Sequence, residues 1–114
     1  IQALAIGPVR ILGTPCELLT GVGAEARRRS RLPDLWVLSY ANGDVGYVPA
    51  PKDFPKGGYE VTGAHMFYDS PRFARNVGTV LAREAARILR HINGRHKRSC
   101  QEPQRAERTQ RTAG

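Results

Sequence analysis

Cysteine and long apolar runs are scarce in this 114-residue chain, and each scarcity argues against a class of protein. The two cysteines, Cys16 and Cys100, form no CxxC pair and no Cys/His cluster with metal-finger spacing. No apolar run approaches the roughly eighteen residues that a membrane-spanning helix needs. An initiator methionine is also missing, and the chain begins at Ile1 already in strand-like alternation. We therefore interpret it as a fragment that starts partway through a domain.

The net charge of +8 is concentrated in two stretches of the sequence. Half of it falls in residues 95–114, where six basic residues accompany two acidic ones, and a second cluster is Arg27-Arg28-Arg29 with Arg31. Such clusters can bind phosphate or anionic lipid. A solvated helix end followed by a disordered tail is the simpler interpretation. No recognition-helix or RNA-binding aromatic motif accompanies the charge, so nucleic-acid binding is the weaker alternative.

The first forty residues predict a hairpin, a helix and a strand. Residues 1–14 alternate in the manner of two strands around the turn pair Gly7-Pro8. Apolar residues at helical spacing, ending in three arginines that suit a helix C-terminus, predict a helix from Cys16 to Arg29. The run Asp34–Tyr40 is too continuously apolar for a half-exposed strand, so it predicts a strand that is covered on both faces.

A long segment of specified shape, Tyr40–Val61, follows this strand. Glycines and prolines recur through it, and because glycine supplies positive φ while proline fixes φ, they predict a loop of defined conformation. A short helical turn is expected near Lys52–Phe54. Sites are commonly built on shaped loops that leave the end of a strand.

The last third of the chain predicts one amphipathic helix and a tail. The helix begins after Ser70-Pro71 and ends at Asn93-Gly94, with a buried stripe of Phe73, Val77, Val80, Leu81, Ala85, Ile88, Leu89 and Ile92. Between loop and helix, Met66, Phe67 and Tyr68 are expected to pack. Residues 94–114 lack apolar periodicity and are predicted to be a disordered basic tail. The whole pattern indicates an α/β fold, ordered β-hairpin, helix, strand, long loop and helix, over residues 1–93.

Three residues are the leading candidates for chemistry: Glu17, Tyr47 and Tyr59. Glu17 follows a strand and a Thr-Pro-Cys turn, at the sheet edge where α/β sites form. It is either a metal ligand or general base there, or simply an acid favoured at a helix N-terminus. The two tyrosines lie twelve residues apart, and ordinary packing with a hydrogen-bonded hydroxyl explains them equally well. Among the histidines, His65 is near enough to the loop to approach a site, whereas His91 and His96 are expected to face solvent.

Several short motifs, taken in order, resemble a known family. They are Gly13-Thr14-Pro15-Cys16-Glu17, then Tyr40-Ala41-Asn42-Gly43 and Gly46-Tyr47-Val48-Pro49, then Gly57-Gly58-Tyr59-Glu60-Val61. This order is similar to the C-terminal part of the catalytic domain of the neutral/alkaline, non-lysosomal ceramidases, over roughly residues 1–92. The fold implied is a fragment of a layered, mixed-sheet hydrolase domain.

The resemblance implies a zinc-dependent amidohydrolase that cleaves the N-acyl bond of ceramide or a similar lipid amide. It assigns Glu17 and Tyr47 as Zn²⁺ ligands, with two histidines supplied by an N-terminal region. It assigns Tyr59 to the substrate side, where the hydroxyl helps to stabilise an oxyanion. It also implies association with a membrane surface and a secreted, periplasmic or membrane-associated location. The alternative is a catalytically silent relative that binds a lipid or a partner protein.

Overall fold

The computed structural model describes the backbone of residues 1–112 and the side chains of residues 1–95. The fold is mixed α/β, with a three-stranded sheet, a two-stranded sheet and helices. The strands are β1 (Gln2–Ile6), β2 (Val9–Gly13), β3 (Glu17–Leu18), β4 (Trp36–Leu38) and β5 (Tyr47–Val48). The α-helices are α1 (Thr20–Ser30), α2 (Tyr59–Thr62) and α3 (Val77–Thr112), and short 3-10 helices cover Pro51–Lys56 and Ala64–Met66.

The larger sheet has the strand order β1-β2-β4. Strands β1 and β2 form the predicted hairpin, antiparallel around a turn in which Gly7 has φ of 54°. Strand β4 pairs with β2 in parallel, and α1 lies between them in the chain. Parallel pairing brings the ends of β2 and β4 to the same edge, where the backbone N–H of Thr14 donates to the carbonyl of Leu38 at 2.9 Å. The segments that build the candidate site leave from this edge.

Only one face of this sheet is covered by helices. Ala3, Leu12 and Val37 pack against the core that α1 and α3 complete. The expectation that the strand around 34–40 is covered on both faces is wrong, because Trp36 is 60% exposed and Leu38 47% exposed. The regular part of the strand is also shorter than predicted, Trp36–Leu38.

The predicted helix from Cys16 begins four residues too early. Glu17 and Leu18 instead form β3, which pairs in parallel with β5, and α1 starts at Thr20. The backbone N–H of Glu17 donates to Gly46 and that of Leu19 donates to Val48, so backbone groups at the predicted start of the helix pair with a distant segment. Tertiary pairing therefore overrides the local helical spacing. The helix ends as predicted near the arginines, with Arg31 in the left-handed conformation at its C-cap.

Helices α1 and α3 pack closely because small residues face each other. Ala26 of α1 and Ala82 and Ala85 of α3 are fully buried, together with Leu89. The other predicted stripe residues also pack on this core, except Val80, which is 38% exposed. The apolar residues at helical spacing therefore predict which face of α3 is buried, although the helix starts at Val77 rather than near Ser70.

The predicted helix end at Asn93-Gly94 is wrong, because the backbone of α3 continues through it to Thr112. A glycine costs only about 1 kcal/mol in a helix interior, so it marks a preferred stop and not an obligatory one. The disordered basic tail over residues 94–114 stays a prediction. Its last two residues lie outside the described range, and the division of the chain at residue 94 stays a prediction.

Gly78 is the point at which α3 meets the segment after β5. A Cβ added there would lie 2.5 Å from the carbonyl oxygen of Pro49 and 2.8 Å from Cγ2 of Val22. We expect Gly78→Ala to lower the free energy of unfolding by about 1–3 kcal/mol, because the backbone must move to admit the methyl group. Urea denaturation followed by far-ultraviolet circular dichroism measures the change.

Gly94→Ala is the matched control in the same helix. Among the side chains of residues 1–95 and the described backbone, no atom lies within 4 Å of the Cβ that it would introduce, so we expect a gain of about 0.5–1 kcal/mol from helix propensity. Equal effects of the two substitutions would contradict a specific close approach at Gly78.

Candidate functional site

The Tyr40–Val61 segment folds back on the turn that precedes β3. The N–H of Tyr40 donates to Cys16, that of Ala41 donates to Thr14 and that of Val45 donates to Pro15. The segment then forms β5, the 3-10 helix Pro51–Lys56 and the start of α2. The expected helical turn near Lys52–Phe54 is therefore confirmed, and the segment is the shaped loop that its glycines and prolines predict.

The pairing of β3 with β5 sets Glu17 directly opposite Tyr47. The register also pairs Leu18 with Val48. Successive side chains of a strand point to opposite faces, so the apolar pair packs on the core while Glu17 and Tyr47 share the other face. The register of this two-residue strand pair thus brings together two of the three predicted site residues.

A third segment completes the surroundings of Glu17. The hydroxyl of Tyr68 donates to Oε1 of Glu17 at 2.7 Å, across 51 residues of sequence. The ring of Tyr68 also meets the ring of Tyr47 edge to face, with centroids 6.4 Å apart. Met66 and Phe67, expected to pack, are instead strongly exposed, so Tyr68 alone of that trio turns inward.

Tyr59 joins this cluster through its ring. It is the first residue of α2 and meets Tyr47 edge to face at a centroid distance of 5.8 Å. Its side chain is 50% exposed, so the phenol is accessible from solvent. All three predicted site residues therefore lie in one cluster, with Tyr47 at its centre.

Tyr40 adopts a backbone conformation that aromatic residues rarely take. Its φ is 57°, in the left-handed region, where a non-glycine residue costs free energy. This conformation directs the chain from β4 towards Cys16 and leaves the phenol near Glu17, whose carboxylate raises the pKa of Tyr40 by hydrogen bonding. Residues in such conformations cluster at functional sites.

One carboxylate, Glu17, lies among several phenols, and this arrangement determines the direction of the pKa shifts in the cluster. Hydrogen bonding to Tyr47, then to Tyr68, lowers the pKa of the Glu17 carboxyl. In return the Glu17 carboxylate raises the pKa of Tyr47 to about 12 and raises that of Tyr68 as well, with burial adding to both. At neutral pH Glu17 is therefore ionised and the phenols around it are protonated donors.

An open cleft of about 240 Å³ gives access to this cluster. Its lining includes Glu17, Ser39, Tyr40, Tyr47 and Glu60. It therefore holds two carboxylates, although the chain as a whole is strongly basic. Such a cleft favours a cation or a hydrogen-bonding polar group over an anion.

The described residues supply only part of a metal site. Among residues 1–95, no group of three or more His, Cys, Asp or Glu side chains is arranged to hold a metal ion. An ionised carboxylate and a phenol on facing strands nevertheless fit two positions of an oxygen-containing zinc shell. Tyr47 keeps its proton beside Glu17, so ligation requires the field of a cation to remove that proton.

Two further residues, Cys16 and His65, lie beside the cluster. Cys16 is fully buried, and burial raises the pKa of its thiol, so it packs in the core and is no nucleophile. His65 lies in the wall of a small cavity beside Tyr47 and Tyr68, and its buried Nδ1 has no hydrogen-bond partner within the described residues. His91 is exposed as expected, and the side chain of His96 lies outside the described residues.

Tyr40 and Tyr68 are the members of the cluster that sequence reasoning missed. Tyr40 is the first residue of the shaped segment, but no sequence pattern indicates its positive φ. Tyr68 lies in an irregular stretch after the 3-10 helix Ala64–Met66, where neither periodicity nor turn residues predict the direction of a side chain. Only the folded arrangement identifies them.

Comparisons with protein-family models, with curated proteins and with solved structures found no match to this chain. Within the helices that the structure describes, none is both long and apolar enough to cross a membrane.

Glu17 and Tyr47 each shift the pKa of the other, and this coupling gives a direct test of the cluster. We expect Glu17→Gln to lower the pKa of Tyr47 from about 12 towards 10, because the carboxylate that opposes ionisation is gone. The tyrosine Cζ chemical shift followed against pH by NMR measures this. Glu84→Gln is the control, since Glu84 pairs with Arg87 on α3 and should leave Tyr47 unchanged.

The same shift gives the direction of the pH dependence of stability. The folded-state pKa of Tyr47 lies above its unfolded value, so its contribution is complete below pH 10 and is lost between about pH 10 and 12. The variant Glu17→Gln should lose less stability across this interval than the wild type. Parallel stability curves for the two proteins would contradict the coupling.

Proposed function

We propose that this chain is the C-terminal part of the catalytic domain of a zinc-dependent amidohydrolase resembling neutral ceramidase. The substrate class is ceramide or a similar lipid amide, cleaved at the N-acyl bond. The observation that carries the proposal is the convergence of Glu17, Tyr47 and Tyr59, which the family resemblance assigns to the site. Their proximity supports the proposal because nothing in the local sequence requires it.

Within this proposal, Glu17 and Tyr47 hold the zinc ion together with two histidines from a region that precedes this chain. A bound Zn²⁺ acts as a Lewis acid and lowers the pKa of a bound water towards about 7. Glu17 supplies negative charge at neutral pH, and its low pKa keeps it available as a ligand. Tyr59 donates its exposed phenol to the oxygen on which negative charge develops.

The exposed position of Tyr59 suits a role towards substrate. It lies at the start of α2, whose preceding residues Gly57 and Gly58 both have positive φ and carry no side chain to obstruct approach. The cleft lined by Glu17, Tyr47 and the neighbouring Glu60 is open rather than enclosed. Exposed Phe67 contacts the ring of Tyr59 and extends the apolar surface there.

A second candidate function is a catalytically silent relative that binds a lipid or a partner protein. The lack of a three-ligand metal group within residues 1–95 favours it. Under this alternative Glu17 is a structural anion that orders the phenols of Tyr40, Tyr47 and Tyr68 around it. The two functions differ in whether zinc is bound.

Zinc content of the protein expressed with its upstream coding region tests the metal ligands. We expect Glu17→Ala and Tyr47→Phe to lose most of the zinc and the release of fatty acid from an N-acylsphingosine, because each removes a ligand. Glu84→Gln should retain both. Unchanged zinc and activity in Glu17→Ala would show that the site lies elsewhere, and a zinc-free wild type that still binds lipid vesicles would favour the silent relative.

The substitution Tyr59→Phe tests whether Tyr59 acts on the substrate or supports the metal. We expect kcat to fall by about 10²- to 10³-fold while zinc content stays at the wild-type level, because one oxyanion donor is lost and no ligand is removed. Steady-state kinetics with metal analysis of the same preparation measures both. Loss of zinc in this variant would mean that Tyr59 supports the metal rather than the substrate.

A further inference from the structure

One interaction of the cluster involves a tyrosine, Tyr68, to which the resemblance assigns no role. The Tyr68 hydroxyl donates to Glu17 Oε1 at 2.7 Å, and this is the contact that ties residues 63–70 to β3. We propose that Tyr68 is a positioning residue that fixes the orientation of the Glu17 carboxylate. Its consequence for a bound cation rests on the proposed function, whereas the positioning itself does not.

Tyr68 is held in place by contacts that do not involve Glu17. Its ring lies on Gly46, where an added Cβ would be 3.1 Å from Cδ2 of Tyr68, and Gly46 itself has φ of 98°. The ring also meets Tyr47 edge to face, and the backbone N–H of Tyr68 donates to the carbonyl of His65. These contacts therefore hold the Tyr68 ring in place independently of its hydrogen bond to Glu17.

The chain direction on either side of Tyr68 is also constrained. The N–H of Ser70 donates to the same carbonyl of His65, and Asp69 between them has φ of 48°. Together these features close a tight turn that presents Tyr68 towards β3. A turn that places a non-glycine residue at positive φ carries a conformational cost that the surrounding contacts must offset.

The orientation of Glu17, in contrast, depends on the phenols that hydrogen-bond to its carboxylate. Glu17 lies in a strand of two residues, is only half-buried and has three rotatable bonds that ordering must restrict. A carboxylate ligand binds a cation well only when it is held in the required orientation, and hydrogen bonds from neighbouring residues commonly provide this. Because contacts that do not involve Glu17 fix the Tyr68 phenol, Tyr68 is suited to position the Glu17 carboxylate.

The other tyrosines near Glu17 are less suited to this role. Tyr47 is itself assigned as a ligand under the proposed function, so its hydroxyl cannot both lose its proton to ligation and keep donating to Glu17. Tyr40 is 58% exposed, and its hydrogen bond lowers the pKa of the Glu17 carboxyl less than the hydrogen bond of Tyr68 does. Tyr68 keeps its donor in the presence or absence of a cation.

The first measurement concerns the chain without metal. In the wild type we expect a slowly exchanging Tyr68 hydroxyl proton and an ordered Glu17 side chain in NMR relaxation at Cγ. In Tyr68→Phe the ring still packs on Gly46, so the fold is retained, while the order of the Glu17 side chain falls. Thr62→Val is the control, because it removes a neighbouring hydroxyl that bonds to the carbonyl of Gly58 instead.

The second measurement adds Zn²⁺ to the same variants expressed with their upstream coding region and follows the amide shifts of residues 16–18 and 46–48. We expect Tyr68→Phe to weaken zinc binding about 10-fold or more, as loss of a partner behind a ligand typically does, and Thr62→Val to leave it unchanged. An unchanged Glu17 order in Tyr68→Phe overturns the positioning role, and equal zinc affinity overturns its consequence for the cation. A loss of order without any zinc-dependent shift in the wild type supports Tyr68 as the positioning residue and counts against the zinc site.

Discussion

Backbone hydrogen bonds between β3 and β5 bring Glu17 opposite Tyr47, and the rest of the candidate site depends on this short pairing. Two residues per strand cannot offset the entropy of ordering a segment as long as Tyr40–Val61. The pairing is therefore supported from both sides. Further backbone bonds flank it at Glu17 and Leu19, and the buried side chain of Val48 anchors it in the core between α1 and α3.

Glycines are required where this arrangement brings backbones together. Gly78 lets the first turn of α3 contact Pro49 and Ala50 immediately after β5, and Gly46 admits the ring of Tyr68 immediately before it. The two close approaches lie on either side of Tyr47. The orientation of this tyrosine is thus determined by the absence of side chains at neighbouring positions as much as by the presence of any partner.

The sequence predicts the parts of this fold that depend on local chemistry. The hairpin, the shaped segment and the buried stripe of α3 follow from turn residues and periodicity, and the motif order places Glu17, Tyr47 and Tyr59 in one site. What it does not predict depends on long-range pairing. The run from Cys16 has helical spacing, yet Glu17–Leu18 becomes a strand, with the N–H groups of Glu17 and Leu19 donating to Gly46 and Val48. Tyr68 reaches Glu17 across 51 residues, which no local pattern can indicate.

Under the proposed function the cluster must be stable both with and without a cation, and its electrostatics allow this. Without one, the Glu17 carboxylate is stabilised by phenols that keep their protons, so no buried charge is left without a partner. A divalent cation reverses the preference of Tyr47, since its field favours the phenolate over the phenol. Tyr68 remains a neutral donor to Glu17 in either state. Under the proposed function, the part of the metal site that this chain supplies thus stays folded and ordered before the remaining ligands join it.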